Sequence, residues 1–340
     1  MTPQPDPASA ATLPLDAITR GHMPHAEWVV GGLFRFDSHL HTIINFLATY
    51  YPPRAVRQVA GVPPCAWTLE PRGELRPVLS MPRYRGMLQS FGEIGAGATL
   101  VFDNPAIPAE SLEDEYAHTL VQQLVADEYN AGGRNAVCVA SDELAKLLRE
   151  RYPQLPLICH PHRHIVTTVK RTPQYYEALE ATYDRIILHP RDAVAAAVFA
   201  KLAHPERYMA VANDPTPRNS PTRRDEVRLL AELHRRPWDG GLRRVLARMQ
   251  QVDVENTCNL TRREEAALYE AGIRAFVVQS LSFRNEITLL HDVFYHLLRT
   301  EPELSNKAAL ITSAGMAHIR PDETGLPTGM DIFNTADEPL

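Results

Sequence analysis

Short apolar runs, each closed off by polar or turn residues, recur along the chain: Ala98–Asp103, Asn135–Ala140, Leu155–His160, Arg185–His189, Tyr208–Ala212 and Arg274–Gln279. Nearly every interior position of these runs is apolar, which predicts strands buried on both faces. Amphipathic segments separate most of them. Asp142–Arg151 carries Leu144, Leu147 and Leu148 on one face behind a Ser141/Asp142 cap signal, and Arg191–Ala203 reads as a short Ala-rich helix. Thr261–Gly272 opens on a Thr261-to-Glu264 capping box and stops at a glycine.

Strands alternating with helices at this spacing predict a parallel sheet with helices outside. A seventh strand is expected within Gln58–Leu69, and an eighth at Val252–Glu255 or Ala309–Thr312. Seven or eight parallel strands in one domain favour closure, and no GxGxxG follows the first strand, which weighs against a dinucleotide-binding sheet. The fold class expected is therefore α/β, a TIM-type (β/α) barrel, regular or irregular. Residues 1–25, rich in Pro, Ala and Thr, read as a flexible leader, residues 26–317 as the barrel, and residues 318–340 as an acidic, aperiodic tail.

Composition narrows this only a little. An apolar content of 44% is ample for a core and excludes wholesale disorder. No apolar run approaches the roughly 20 residues of a membrane span, and the first residues lack a signal peptide's basic start and apolar centre. The four cysteines (Cys65, Cys138, Cys159, Cys258) form no CxxC pair, so a site of sequence-local thiolates is not expected and a reducing cytoplasm is the natural home. The net charge of −6 argues against generic coating of nucleic acid.

Candidate chemistry lies at the strand ends. Asp37-Ser38-His39-Leu40-His41 resembles a metal-binding HxH, but Leu40, Ile43, Ile44, Leu47, Tyr50 and Tyr51 recur at helical spacing. Two helical residues at i and i+2 point about 200° apart, so His39 and His41 read as helix-surface residues. In a barrel, function gathers where strand C-termini meet the following loops. Those ends carry Asn104 after Asp103, Ser141, His160, His189, Asn213 with Asp214, and Gln279. His160-Pro-His162-Arg-His164, if extended, turns His160, His162 and His164 to one side, where with His189 and Asp214 they offer a metal site or an acid–base pair near neutral pH. An Arg-dense segment, Arg218–Arg248, follows the strand ending near Asn213, and its first members Arg218 and Arg223 suit a phosphate or carboxylate clamp.

Several of these stretches resemble the collagenase-like peptidase superfamily of TIM barrels, over about residues 91–284. They are LVFDN ending at Asn104, VASDELAKLLRERYPQLPLICH, YDRIILHPRD, the Asn213-Asp214…Ser220-Pro221-Thr-Arg223 stretch, and Leu260-Thr261…Tyr269-Glu-Ala-Gly272-Ile-Arg-Ala-Phe276. The resemblance implies a barrel, a hydrolase among the activities, and cysteines ahead of a Pro-x-Arg that in some members hold an iron–sulfur cluster. Asn213, Asp214, Pro221 and Arg223 fit the pattern. Thr216 and Ser220 stand where cysteine is expected, so an iron–sulfur cofactor is not expected here.

Three functional readings follow. The first is a barrel enzyme with His160, His189 and Asp214 in acid–base hydrolytic or transfer chemistry. Asn104, Asn213, Arg218, Arg223 and Gln279 would hold its small polar or anionic substrate. The second adds a divalent metal on His160, His162 and His164. The third is a non-catalytic barrel that binds nucleic acid or a protein partner through Arg218–Arg248.

Overall fold

A computed structural model gives the architecture. It describes residues 23–34 apart from 24, 56–69, 79–126, 128–130, 133–214, 216, 218–234 and 258–279, together with Leu40, His41, Ile44, Leu289, Asp292, Val293, His296 and Leu297. The strands are β1 (Glu27–Gly31), β2 (Val56–Gly61), β3 (Gly97–Phe102), β4 (Ala136–Val139), β5 (Leu157–Cys159), β6 (Arg185–Ile187) and β7 (Tyr208–Val211). A short antiparallel pair follows, β8 (Asn213–Asp214) with β9 (Cys258–Asn259), and then β10 (Ala275–Val278). Eight of them form a closed parallel barrel in the order β1-β10-β7-β6-β5-β4-β3-β2. Ring order follows chain order, and β10 closes on β1 through Glu27↔Ala275 to Val30↔Val278.

Each of the six runs singled out above contains one of these strands. The seventh is β2, which overlaps only the start of Gln58–Leu69, because Pro63 and Pro64 cannot donate to a ladder. The strand that completes the ring is β1, at Glu27–Gly31, which lies outside every expected strand run. The two stretches proposed for an eighth strand lie outside the described residues, as do most of the leader and all of the tail.

The helices are α1 (Met81–Glu93), α2 (Glu115–Val125), α3 (Asp142–Arg151), α4 (Pro161–Val166), α5 (Pro173–Leu179), α6 (Ala196–Phe199), α7 (Arg223–His234) and α8 (Arg262–Glu270). Ser141 caps α3, its Oγ accepting from the Leu144 N–H, and Asp142, Glu143, Arg149 and Arg151 complement the helix dipole at its two ends. Thr261 and Glu264 form the expected capping box on α8. The helix expected at Arg191–Ala203 shrinks to the single turn α6. Only Phe199 of its four residues is buried, and a helix this poor in apolar anchors has little tertiary packing to extend it.

The core has two parts. Outside the ring, between strands and helices, pack the large side chains, among them Trp28, Phe102, Tyr176, Tyr208 and Phe276. Inside it lie smaller ones: Val29, Ala60, Ala136, Cys138, Ile158, Ile187, Met209, Val211, Ala275 and Val277. At the N-terminal end Arg185 of β6 reaches Glu27 of β1 at 2.9 Å, an ion pair between strands separated by two others in the ring. Near the same end β3 opens on Gly97, where an added Cβ would sit 2.4 Å from the backbone oxygen of Arg134. Backbone cannot yield as a side-chain tip can. Gly97→Ala is therefore expected to cost about 2 kcal/mol, read as a lower urea midpoint with an unchanged denaturant slope.

Candidate functional site at the barrel mouth

Strand side chains alternate, so the residues two positions beyond the inner-face cluster form the next layer at the C-terminal mouth. Ala140 follows Cys138, His160 follows Ile158, His189 follows Ile187, Asn213 follows Val211, and Gln279 follows Val277. Asp103 follows Val101, which packs against the same cluster. The sequence expectation that the strand ends converge on one rim thus places His160, His189, Asn213 and Gln279 in a single layer.

His160 and His189 are built alike. Each lies just past its strand, each precedes a proline, and each ring Nδ1 accepts the backbone N–H two residues on: His162 N–H to His160 at 3.2 Å, and Arg191 N–H to His189 at 3.1 Å. A backbone N–H only donates, so Nδ1 carries a lone pair and the ring proton sits on Nε2. Burial, then the neighbouring His162 and His164, push the pKa of His160 well below its ordinary value. Burial, with Arg171 and Arg223 next in weight, lowers His189 to about 2. Tyr176 anchors the His189 turn, its hydroxyl accepting the His189 N–H at 3.2 Å while donating to Asp192 at 2.6 Å. Arg171 holds the same carboxylate at 2.6 Å. With Nδ1 engaged and burial favouring the neutral form, each ring carries its proton on Nε2.

The histidine cluster also differs from the extended reading. Pro161 occupies the first turn of α4 and His160 is its N-cap, so His162 and His164 leave on a helix, not a strand. His164 is fully buried on the outer side, where Nε2 donates to the Ile187 carbonyl at 3.0 Å and Nδ1 accepts from the Tyr175 hydroxyl at 3.0 Å. His162 donates from Nδ1 to the Asp103 carbonyl at 2.8 Å, which leaves its Nε2 lone pair available. A metal on His160, His162 and His164 therefore lacks a common point, and two of the three rings have their lone pairs engaged. Among the described residues no group of three or more His, Cys, Asp or Glu side chains is placed to hold a metal ion. His41 lies on a helix as expected, its ring edge-on to Phe91, and His39 is outside the described residues.

The other candidates serve several ends. Asn213, fully buried, donates to the Gln279 carbonyl at 2.9 Å and to Asp292 at 2.7 Å, and accepts the Gln279 N–H at 2.6 Å. Its side chain continues the β7–β10 ladder past the last backbone pair. Asp214 accepts from Arg223 at 2.7 Å and from the Thr216 N–H at 3.0 Å, with both partners of the ion pair buried. Arg218 makes a forked pair with Glu264 at 2.6 and 3.0 Å and donates to the Asn259 carbonyl, which fastens the β8 loop to α8. Asn104 is enclosed beneath the loops, its Oδ1 accepting the Ala106 N–H. The later arginines, Arg235 to Arg248, are outside the described residues.

Asp292, Asp192 and Tyr176 brace the site, and none was anticipated. For the two histidines a signal did exist, the His-Pro pair repeated at the ends of successive strands, Cys159-His160-Pro161 and Leu188-His189-Pro190.

No protein-family model and no curated protein matches the chain. Among solved structures, a U32 peptidase, of the collagenase-like family, is similar over 75% of this chain and 92% of its own, at 14% identity and a TM-score of 0.46. An α-amylase from Lactobacillus plantarum is similar over 57% of this chain and 63% of its own, at 9% identity and a TM-score of 0.27. These likenesses concern the fold, which the closed barrel establishes by itself. Among the described residues no helix is long and apolar enough to cross a membrane.

Proposed function

We propose that the barrel mouth binds a small anionic substrate and acts on it by hydrolysis or group transfer, with His160 and His189 donating from Nε2 to its oxygen atoms. The observation that carries this is the repeated bond from a backbone N–H to each Nδ1, which sets both protons on Nε2. Neutral N–H donors of this kind polarise a carbonyl or hold an oxyanion without losing their own proton. His162, with its Nε2 lone pair beside His160 at a ring separation of 4.5 Å, is the proton acceptor in this scheme. Arg223 adds positive charge near His189, and Asp214 positions it.

The test is titration with inorganic phosphate, followed by the nitrogen-15 and proton resonances of the two Nε2–H groups. Both are expected to shift with one saturating curve, and His189→Ala to weaken binding about 10- to 100-fold, the value of a hydrogen bond to a charged group. Resonances that stay still at high phosphate, or equal affinity in the variant, would overturn the proposal.

A further inference from the structure

In the ring order β1-β10-β7-β6-β5-β4-β3-β2, β7 and β3 stand diametrically opposite each other. Helix α7 begins beside the β7 end, where Arg223 holds Asp214 and donates to the Thr216 carbonyl. Its buried apolar residues, among those described, do not join the main core. Val227 and Ala231 pack instead with Leu69 from the loop after β2 and Ile165 of α4, with Leu230, Val166 and Ala106 of the loop after β3 at the margin. Arg228 adds a contact to the Val166 carbonyl at 3.4 Å. A helix anchored at β7 that rests on loops after β2, β3 and β5 crosses the mouth from one side to the other. In the mouth itself His160 and His189 keep only 8% and 4% of their surface exposed.

The two ends of this roof are unlike. At the β7 end a buried ion pair fixes it. At the far end the contact is a satellite cluster of four buried residues, separate from both larger cores. Among the described residues this cluster is separate from the barrel core, and such a unit can open without the barrel unfolding. We infer that α7 is a hinged roof over the mouth, pivoting at Asp214–Arg223 and undocking at the Leu69–Ile165–Ala231 patch to admit a ligand. This rests on the mouth being the binding site, and it narrows the ligand to a molecule small enough to be enclosed, excluding the continuous chain of a folded protein or nucleic acid.

The experiment reads histidine accessibility with diethyl pyrocarbonate on the full chain, each residue followed by mass spectrometry. His204, with 59% of its side chain exposed, is the open reference, and buried His164 the closed one. In the unmodified protein His160 and His189 are expected to react at least tenfold more slowly than His204. Ala231→Asp, which disfavours docking, should bring both close to the His204 rate. In the Val166→Cys/Leu230→Cys variant, a cleavable thiol cross-linker should slow both to the His164 rate, and reductant should restore them. The restored rate shows that the variant is folded. Reaction of His189 at an unchanged rate with the linker in place would overturn the inference. Because this readout uses no substrate, it is independent of the phosphate titration. A locked roof without phosphate binding would sink the proposed function and leave the hinge standing.

Discussion

On acidification the protein is expected to lose stability steeply between pH 6.5 and 5, before the carboxylates titrate. Three imidazoles are folded away neutral: burial holds His160 well below its ordinary pKa, His164 at about 3 and His189 at about 2. In the unfolded chain each returns to about 6.5. Below that pH the unfolded state binds protons that the folded state does not, so stability is full above pH 6.5 and falls as pH drops toward the folded values. Each histidine contributes about 1.4 kcal/mol per pH unit in that window. Three together reach about 4 kcal/mol per unit, against a total stability of about 5–15 kcal/mol. Urea midpoints at pH 7, 6 and 5 measure the slope. His164→Gln keeps a donor for Ile187 and an acceptor for Tyr175 but cannot titrate, and should remove about a third of the slope. A flat profile from pH 7 to 5, or an unaltered slope in the variant, would contradict the assignment. If α7 undocks as inferred, His160 and His189 can protonate through local opening, and their share will fall below that of His164.

Much of the barrel was legible because buried parallel strands are near-continuous apolar runs, and β3, β4, β5, β6, β7 and β10 each have one. Strand β1 escaped because its apolar stretch is only Trp28-Val29-Val30 between a glutamate and a glycine, too short to separate from a loop on periodicity alone. The rim residues were legible as a set, since a polar residue directly after a buried strand faces either a cap or the mouth. Ser141 shows the first case and His189 the second.

What the residues do there was not legible, because it depends on partners distant in the chain. The Asn213 side chain, a substrate contact on the sequence alone, bonds to Gln279 and Asp292, 66 and 79 positions away. The run His160-Pro-His162-Arg-His164 departs from the extended expectation for a local reason. Proline at the first helical turn, with His160 as its cap, is as good a helix start as it is an extended segment, and only the structure distinguishes them. The His-Pro repeat at the ends of β5 and β6 was available from the sequence alone. Its meaning came from the backbone N–H that each Nδ1 accepts.

The Asp214–Arg223 pair carries the largest single-site effect. Both groups are buried, and Asp214 takes a second bond from the Thr216 N–H, so removing the carboxylate leaves a guanidinium in a poorly solvated place. Asp214→Leu is expected to cost about 3–5 kcal/mol, the usual penalty for stranding half of a buried pair. Replacing both partners, Asp214→Leu with Arg223→Met, removes the stranded charge as well and should recover at least half of that loss. The double-mutant cycle would then return a coupling of about 2 kcal/mol or more. Urea titration of the four proteins at pH 7.5, above the window in which the histidines titrate, keeps their contribution constant. Additive losses would mean that the two side chains act independently, which would remove the pivot from α7. Asp214 would then return to the set of groups free to act on a substrate. A strong coupling places it instead as the residue that holds Arg223, and through it the start of the roof, beside His189.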